Sequence, residues 1–361
     1  MYGRKYRQLA LAALSVAGVL GVSQVASAQW QIDGPDGSSI KFGYLAQMRA
    51  DAVDNGSDTA TDLYFRRLRI LAGGRINDQW TYFFETDSAN LGKSTASGSK
   101  NSPDIFMQDF VVSYKPGGDA FILDVGQLLG EVTYNSNQSA ASLLATDYGP
   151  NSFVWAGPLD TRVGRDYGAR ARGYLFNDRL EYRASILQGV RGAGSSNDLR
   201  FLGRLMYNVF EAQKGLFYTG TTLGKKQILS FGVSYDTQED YNTVSVDGFW
   251  DQPLAGGNAM TVQANWSNVD GDDFLAALPE QTNVFVEAGF LHGPSRVMPF
   301  LQYTEKDFDS AALGDVERTL VGFAYWFSGH NGNVKFSYAT ADADGATDVD
   351  EWWLQLQLFR F

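Results

Sequence analysis

The feature that most constrains this chain is an alternation of apolar and polar residues with a period of two that returns along nearly its whole length. From Thr319 to Phe327, the residues Thr319, Val321, Phe323, Tyr325 and Phe327 share one face, and Leu320, Gly322, Ala324 and Trp326 share the other. After Ser328-Gly329-His330-Asn331-Gly332, the pattern resumes with Val334, Phe336, Tyr338 and Thr340 set against Asn333, Lys335, Ser337 and Ala339. Ile40, Phe42, Tyr44, Ala46 and Met48 oppose Lys41, Gly43, Gln47 and Arg49 in the same way near the start. No long stretch beyond the N-terminal leader has a helical apolar period.

Spans of about ten residues divide the chain into about sixteen candidate strands, and roughly half of it remains for turns and loops. A soluble sandwich would not need a long apolar face flanked by aromatics on so many consecutive strands. A transmembrane antiparallel β-barrel does, because its outward face meets lipid and its inward face meets water. An unpaired amide in lipid costs several kcal/mol, so such a sheet closes on itself. The expected fold class is therefore all-β, a membrane barrel of about sixteen strands. Trp80, Tyr82, Trp250, Trp266 and Tyr325 suit aromatic girdles at its two rims. At the C-terminus, Leu354, Leu356 and Leu358 have the opposite parity from Phe359 and Phe361, and a bulge near Leu358 would bring them onto one face.

Arg4, Lys5 and Arg7 precede an apolar run from Leu9 to Val22 and the small-residue site Ala26-Ser27-Ala28, the pattern of a secretory signal peptide spanning residues 1–28 and cleaved after Ala28. The mature barrel would run over residues 29–361. Removing the leader takes three positive charges from a chain of net charge −12, leaving −15. A polyanion of this kind is a poor partner for nucleic acid. With no cysteine and only two histidines, thiolate metal sites, iron–sulfur clusters and cysteine nucleophiles are excluded. No cofactor is required. His292 and His330 both fall in short turns, which gives a Ser-His-Asp arrangement little to build on.

The longest segment without a period runs from Gly130 to Asp166 and contains Glu131, Asp147, Asp160, Arg162 and Arg165. Loops of this length are usually functional or disordered. Its Tyr148, Phe153, Trp155, Leu143 and Leu144 suggest a folded constriction loop (130–166) tucked inside the barrel, with an external mobile loop as the other reading. The link Glu211 to Lys226 is longer than a turn should be. Strand parity turns Lys41, Arg49, Arg67, Arg69, Arg170, Arg172, Arg183, Arg200 and Arg204 inward, since arginine at mid-membrane on the lipid face costs about 2–4 kcal/mol. Arg66, of opposite parity, is expected to snorkel to the rim. Glu85, Asp87, Asp109, Asp124 and Glu181 share the inward parity, so the arginines either attract anions at a constriction or pair within the wall.

Tyr64-Phe65-Arg66-Arg67-Leu68-Arg69-Ile70, the run Asn77 to Asp87, Asp124-Val125-Gly126-Gln127 and Gly164-Arg165-Asp166-Tyr167-Gly168 together resemble the phosphate-selective porin O/P family. The similarity is best from about residue 62 to 190. It implies a sixteen-stranded, trimeric outer-membrane porin of a Gram-negative bacterium, with a basic lumen that selects phosphate-like anions. Arg67, Arg69, Arg170 and Arg172 correspond to the family's arginine ladder, while Leu128 stands where a lysine often follows Gly-Gln.

The expectation is then a passive channel for small inorganic or organic anions, set in a lipid bilayer beside lipopolysaccharide. Arg67, Arg69, Arg170, Arg172, Arg183 and Arg204 would line the pore, with Arg162, Arg165, Asp160 and Glu131 on the constriction loop. The rival is a plugged or partner-filled barrel acting as adhesin or scaffold.

Overall fold

The computed structural model of the protein describes residues 30–192 and 194–361, so the leader and its cleavage after Ala28 lie outside the described residues. The strands are β1 (Trp30–Asp33), β2 (Ser39–Asp54), β3 (Thr59–Arg75), β4 (Trp80–Asp87), β5 (Phe106–Tyr114), β6 (Ile122–Leu129), β7 (Arg165–Leu175), β8 (Leu180–Leu187), β9 (Arg200–Asn208), β10 (Ile228–Gln238), β11 (Tyr241–Pro253), β12 (Ala259–Asp270), β13 (Gln281–Leu291), β14 (Val297–Phe308), β15 (Val316–Tyr325), β16 (Phe327–His330), β17 (Gly332–Ala343) and β18 (Val349–Arg360). Every strand but β1 and the short β16 belongs to the wall. Each wall strand pairs antiparallel with its neighbours, and β18 pairs with β2 from Asp350↔Asp54 to Arg360↔Tyr44, which closes a sixteen-stranded barrel. β1 extends the ladder past that point by pairing with Ser39–Phe42.

The period of two decides which side chains face out. Val321, Phe323 and Tyr325 are exposed on β15, while Leu320 and Ala324 are buried. On β9 and β10, Phe201, Leu205, Tyr207, Phe231, Val233 and Tyr235 form an exposed apolar surface, whereas Arg200, Arg204, Ser230 and Ser234 are buried. A continuous outer surface of this kind needs an apolar medium around it. Gly126, at φ +138, belongs to one of the family-like stretches, and a Cβ there would lie 2.0 Å from the Phe110 carbonyl oxygen across the ladder.

One rim carries mostly short turns, such as residues 76–79, 176–179 and 292–296. The other carries longer segments, including 88–105, 188–199 and 271–280, beside the tight connection Glu239-Asp240. Residues 130–164 leave this second rim, and residues 209–227 leave the turn rim. Gly164 closes the first at φ +77, pressed against Trp155 and Phe153.

One local question the sequence leaves open is answered, and one expectation is corrected. The register of β18 against β2 runs without a shift through Leu358↔Ala46 and Phe359↔Leu45, so no bulge repairs the parity of the C-terminus. Phe359 and Phe361 instead pack with buried Leu45 and Leu71, and Lys41 Nζ sits 4.5 Å from the Phe361 ring. The bulge lies elsewhere. Gln47 pairs with Arg67 and Met48 with Phe65, leaving Arg66 as the extra residue of β3. Arg66 is thereby turned from the lipid-facing parity toward the loop carboxylate of Asp147 rather than to the rim.

Candidate functional site

The arginines of β7, β8 and β9 meet in one cross-strand row, because Arg172 pairs with Arg183 and Arg183 with Arg204. Like charges directly opposite each other destabilise a sheet, so this row stands only with carboxylates between its members. Asp124 accepts Arg170 at 2.8 Å and Arg172 at 2.7 Å. Glu131 receives Arg170, Glu181 receives Arg183 at 2.6 Å, and Asp247 holds Arg204 through two bonds of 2.7 Å. Four arginines (Arg170, Arg172, Arg183, Arg204) thus face four carboxylates (Asp124, Glu131, Glu181, Asp247), and Arg200 is paired with Asp236 at 2.6 Å. Arg69 is balanced likewise, by Glu85 and by Asp87 at 2.9 Å, and Arg165, which opens β7, meets Asp109 at 3.3 Å.

The balance changes on the β2, β3 and β18 side of the barrel. Three guanidinium groups converge on Asp147. Arg49 Nη2 and Arg66 Nε donate to its Oδ2 at 2.9 and 2.8 Å, and Arg67 Nη2 donates to its Oδ1 at 2.7 Å. Burial works against ionisation of Asp147, but Arg66, Arg67 and Arg49 together hold its carboxyl well below the usual carboxylate range. Second contacts fix the arginines in place. Arg49 also donates to Gln355 Oε1 at 2.7 Å, Arg67 to Gln47 Oε1 at 2.8 Å, and Arg49 lies 4.8 Å from the Trp353 ring.

These groups border a cavity of about 570 Å³ formed with the halves of β2, β3 and β18 nearest the long-loop rim. Seven cationic side chains (Arg49, Arg66, Arg67, Arg69, Lys93, Arg165, Arg318) and four carboxylates (Asp51, Asp87, Asp147, Glu351) line it. Glu85 and Asp109, which pair with Arg69 and Arg165 from outside the lining, reduce the excess to a single positive charge, and it resides with the three arginines that share Asp147.

Of the expected loop residues, Glu131 is buried in the arginine row, whereas Asp160 and Arg162 are exposed and border a separate cavity of about 690 Å³ beside Arg165 and Tyr167. The Arg162 guanidinium sits 4.5 Å from the Phe106 ring. The central part of 130–164 touches inward side chains from strands all around the wall. Lys335 Nζ donates to Leu143 O and Ala145 O, Gln47 to Ala140 O, Gln263 receives Gln138, and Gln302 donates to Asp147 O. Leu144 packs with Leu291, Met298, Leu320 and Trp326, while Trp155 and Leu159 pack with Leu187 and Leu202.

The segment 209–227 meets this loop from the opposite rim. Tyr218 N donates to Asn137 O and Ser139 N to Tyr218 O, both at 2.9 Å. The Tyr134 ring stacks between Tyr218 at 4.8 Å and Phe249 at 4.4 Å. Arg183 binds the carbonyls of Leu216 and Gly215 at 3.1 and 3.3 Å, and at the rim Lys214 bridges Asp119 and Asp178. Sequence reasoning marked this segment as too long for a turn and did not assign it a place. Its residues carry neither a strand nor a helix period that would supply one, and its aromatics Phe217 and Tyr218 are adjacent. Two residues named from the sequence take site roles it does not assign: Asp147, noted only as a loop residue, because its role depends on a fold no period encodes, and Arg66, expected at the rim, because its parity is reset by the bulge.

His292 pairs with the exposed Ser295 hydroxyl at 2.8 Å. Burial, with Lys335 and Lys225 nearby, pushes the His330 imidazole down to about 3, so it is neutral at ordinary pH.

A closed antiparallel barrel of sixteen strands with an apolar outer belt and a charged interior is the architecture of an outer-membrane porin. The family model for phosphate-selective porin O and P matches residues 40–277, and the chain belongs to that family. Solved structures agree on the fold. The OmpF porin of Salmonella typhi, solved with daunomycin, superposes with a TM-score of 0.60 at 14% identity, over 91% of this chain and 100% of that one. An anion-selective porin from Comamonas acidovorans gives 0.58 at 10% identity, over 90% and 100%. The outer membrane channel DcaP of Acinetobacter baumannii gives 0.57 at 12% identity, over 91% and 99%. Against curated proteins the sequence has no match.

Proposed function

We propose that this porin is a narrow, passive, anion-preferring channel whose selectivity is set where Arg49, Arg66 and Arg67 converge on Asp147. The observation that carries the reading is the charge count. The β7–β9 row is neutralised pair by pair, and the cavity beside Asp147 keeps more cations than carboxylates. Arg67 and Arg69 then border the selective vestibule, while Arg170, Arg172, Arg183 and Arg204 chiefly hold the wall and its inner segments together. Residues 130–164 narrow the lumen. The homotrimer implied by the resemblance, cleavage after Ala28 and an outer leaflet of lipopolysaccharide complete the proposal, with small inorganic or organic anions as solutes.

Reversal potentials in planar bilayers across a potassium chloride gradient test it. Small discrete conductance steps with an anion-favouring potential are expected. A cation preference would overturn the anion reading and assign control to the acidic residues that give the mature chain its negative charge.

A second reading is favoured by one observation, the contact between segments from both rims through Tyr134 and Tyr218. In it the barrel is plugged and serves as adhesin or scaffold. Correctly folded trimer that never conducts would support it.

A further inference from the structure

Asp147 is bound as a ligand would be. Its carboxylate belongs to a loop, not to the wall, and it takes three guanidinium groups from β2 and β3 at 2.7–2.9 Å while its Oδ1 also accepts the Tyr148 amide at 3.1 Å. Each oxygen therefore has two donors, a pattern that suits a planar group with two oxygens. The surroundings of the trio are aromatic. Trp353 is flanked by Arg49 at 4.8 Å and Arg318 at 4.9 Å, the Arg67 guanidinium lies 5.4 Å from the Tyr148 ring, and Tyr148 meets Phe153 edge-on at 5.3 Å. The trio is reachable, since Arg66 keeps about a quarter of its side chain exposed and the cavity beside it, at about 570 Å³, is of ligand-pocket size.

From this geometry we infer that Asp147 is a tethered stand-in for solute, and that the Arg49–Arg66–Arg67 trio takes organic carboxylates with a flat aromatic body, which displace it. This rests on the anion-vestibule reading and narrows it. A solute carboxylate inherits the donors of Asp147 while its ring lies against Trp353, Tyr148 or Phe153. Inorganic phosphate can use the donors but gains nothing from the aromatic walls. Because Asp147 competes from within the chain at high effective concentration, apparent affinity is lowered by the fraction of time the trio is free; a free fraction of one tenth would weaken binding about tenfold.

The test is calorimetric titration of the full mature protein in detergent with benzoate, acetate and inorganic phosphate, comparing the natural chain with Asp147→Asn. We expect benzoate to bind more tightly than acetate or phosphate in the natural chain, and its affinity to rise about tenfold in the variant. Equal affinity for the three probes, or no gain in the variant, would overturn the inference. Should Asp147→Asn fail to fold, Arg66→Gln supplies the second test, because Arg66 lies at a bulge and is partly exposed. Loss of benzoate binding there supports the site, and unchanged binding overturns it. Bilayer conductance is measured on the same preparations. Benzoate binding without conductance would sink the channel reading and keep the site, and conductance without benzoate binding would do the reverse.

Discussion

Arg66 Nε lies 2.8 Å from Asp147 Oδ2 although the parity of its strand points it away from the lumen. The register shift between Gln47 and Met48 makes this possible, leaving Arg66 without a cross-strand partner and free to swing inward. One extra residue thereby adds a third guanidinium to the loop carboxylate.

Arg66 should accordingly govern selectivity without governing folding. Replacing it by Gln should reduce the anion-to-cation permeability ratio by up to about fivefold, the effect of about 1 kcal/mol for a unit charge acting at roughly 4 Å in water. Reversal potentials measure this, and an unchanged ratio in a folded channel would remove Arg66 from the filter.

The β7–β9 row should behave in the opposite way. Arg204→Ala leaves the buried Asp247 unpaired, and breaking such a pair costs about 3–5 kcal/mol. Its expected signature is a lowered unfolding temperature in detergent, with selectivity little changed in whatever folds. The double replacement Arg204→Met with Asp247→Leu should be less damaging than the single one, since it leaves neither charge stranded.

Tyr134 and Tyr218 should be energetically coupled across the lumen. A double-mutant cycle to Leu at both positions, read by thermal unfolding, should give about 0.5–1.5 kcal/mol of interaction. Either single variant should also raise open-channel conductance by loosening residues 209–227. Additive effects would show that the two segments only lie side by side.

The rim bridge from Lys214 to Asp119 and Asp178 predicts a pH window. Hydrogen bonds donated by Lys115 and Lys214 draw the Asp119 carboxyl down to about 2, and donating to Asp119 and Asp178 raises the Lys214 ammonium above its ordinary value. A depressed carboxyl contributes above its unfolded value near 3.8 and loses that contribution as pH falls through about 2. A raised ammonium contributes below 10.5 and loses it as pH climbs above that value. Gating noise should therefore stay constant between these limits and increase below about pH 3.8, while Lys214→Met should show the noisy behaviour at neutral pH. Noise that varies across pH 5–9 in the natural chain would count against the bridge as the latch of this segment.

Most of the wall was legible from alternation, Arg66 and the C-terminal Phe359 and Phe361 excepted. Val321, Phe323 and Tyr325 against Leu320 and Ala324, or Phe336 and Tyr338 against Lys335 and Ser337, could be assigned to faces from alternation alone, because a strand's geometry turns successive side chains to opposite sides whatever they later touch. Sheet closure followed from the cost of open edges in lipid. The inward arginines were legible for the same reason, but their electrostatic roles were not. Asp124 neutralises Arg170 and Arg172 because β6 lies beside β7, whereas Asp147 stands between Arg49, Arg66 and Arg67 only because a loop without a period folds against β2 and β3.

The sequence by itself therefore determined strands, faces and closure, since each depends on local spacing and the surrounding medium, and its motifs matched those of the porin family. Tertiary structure decided which charges cancel, where residues 130–164 and 209–227 meet, and that Arg66 turns inward, because a charge's effect depends on neighbours brought within a few ångströms by contacts distant in the chain.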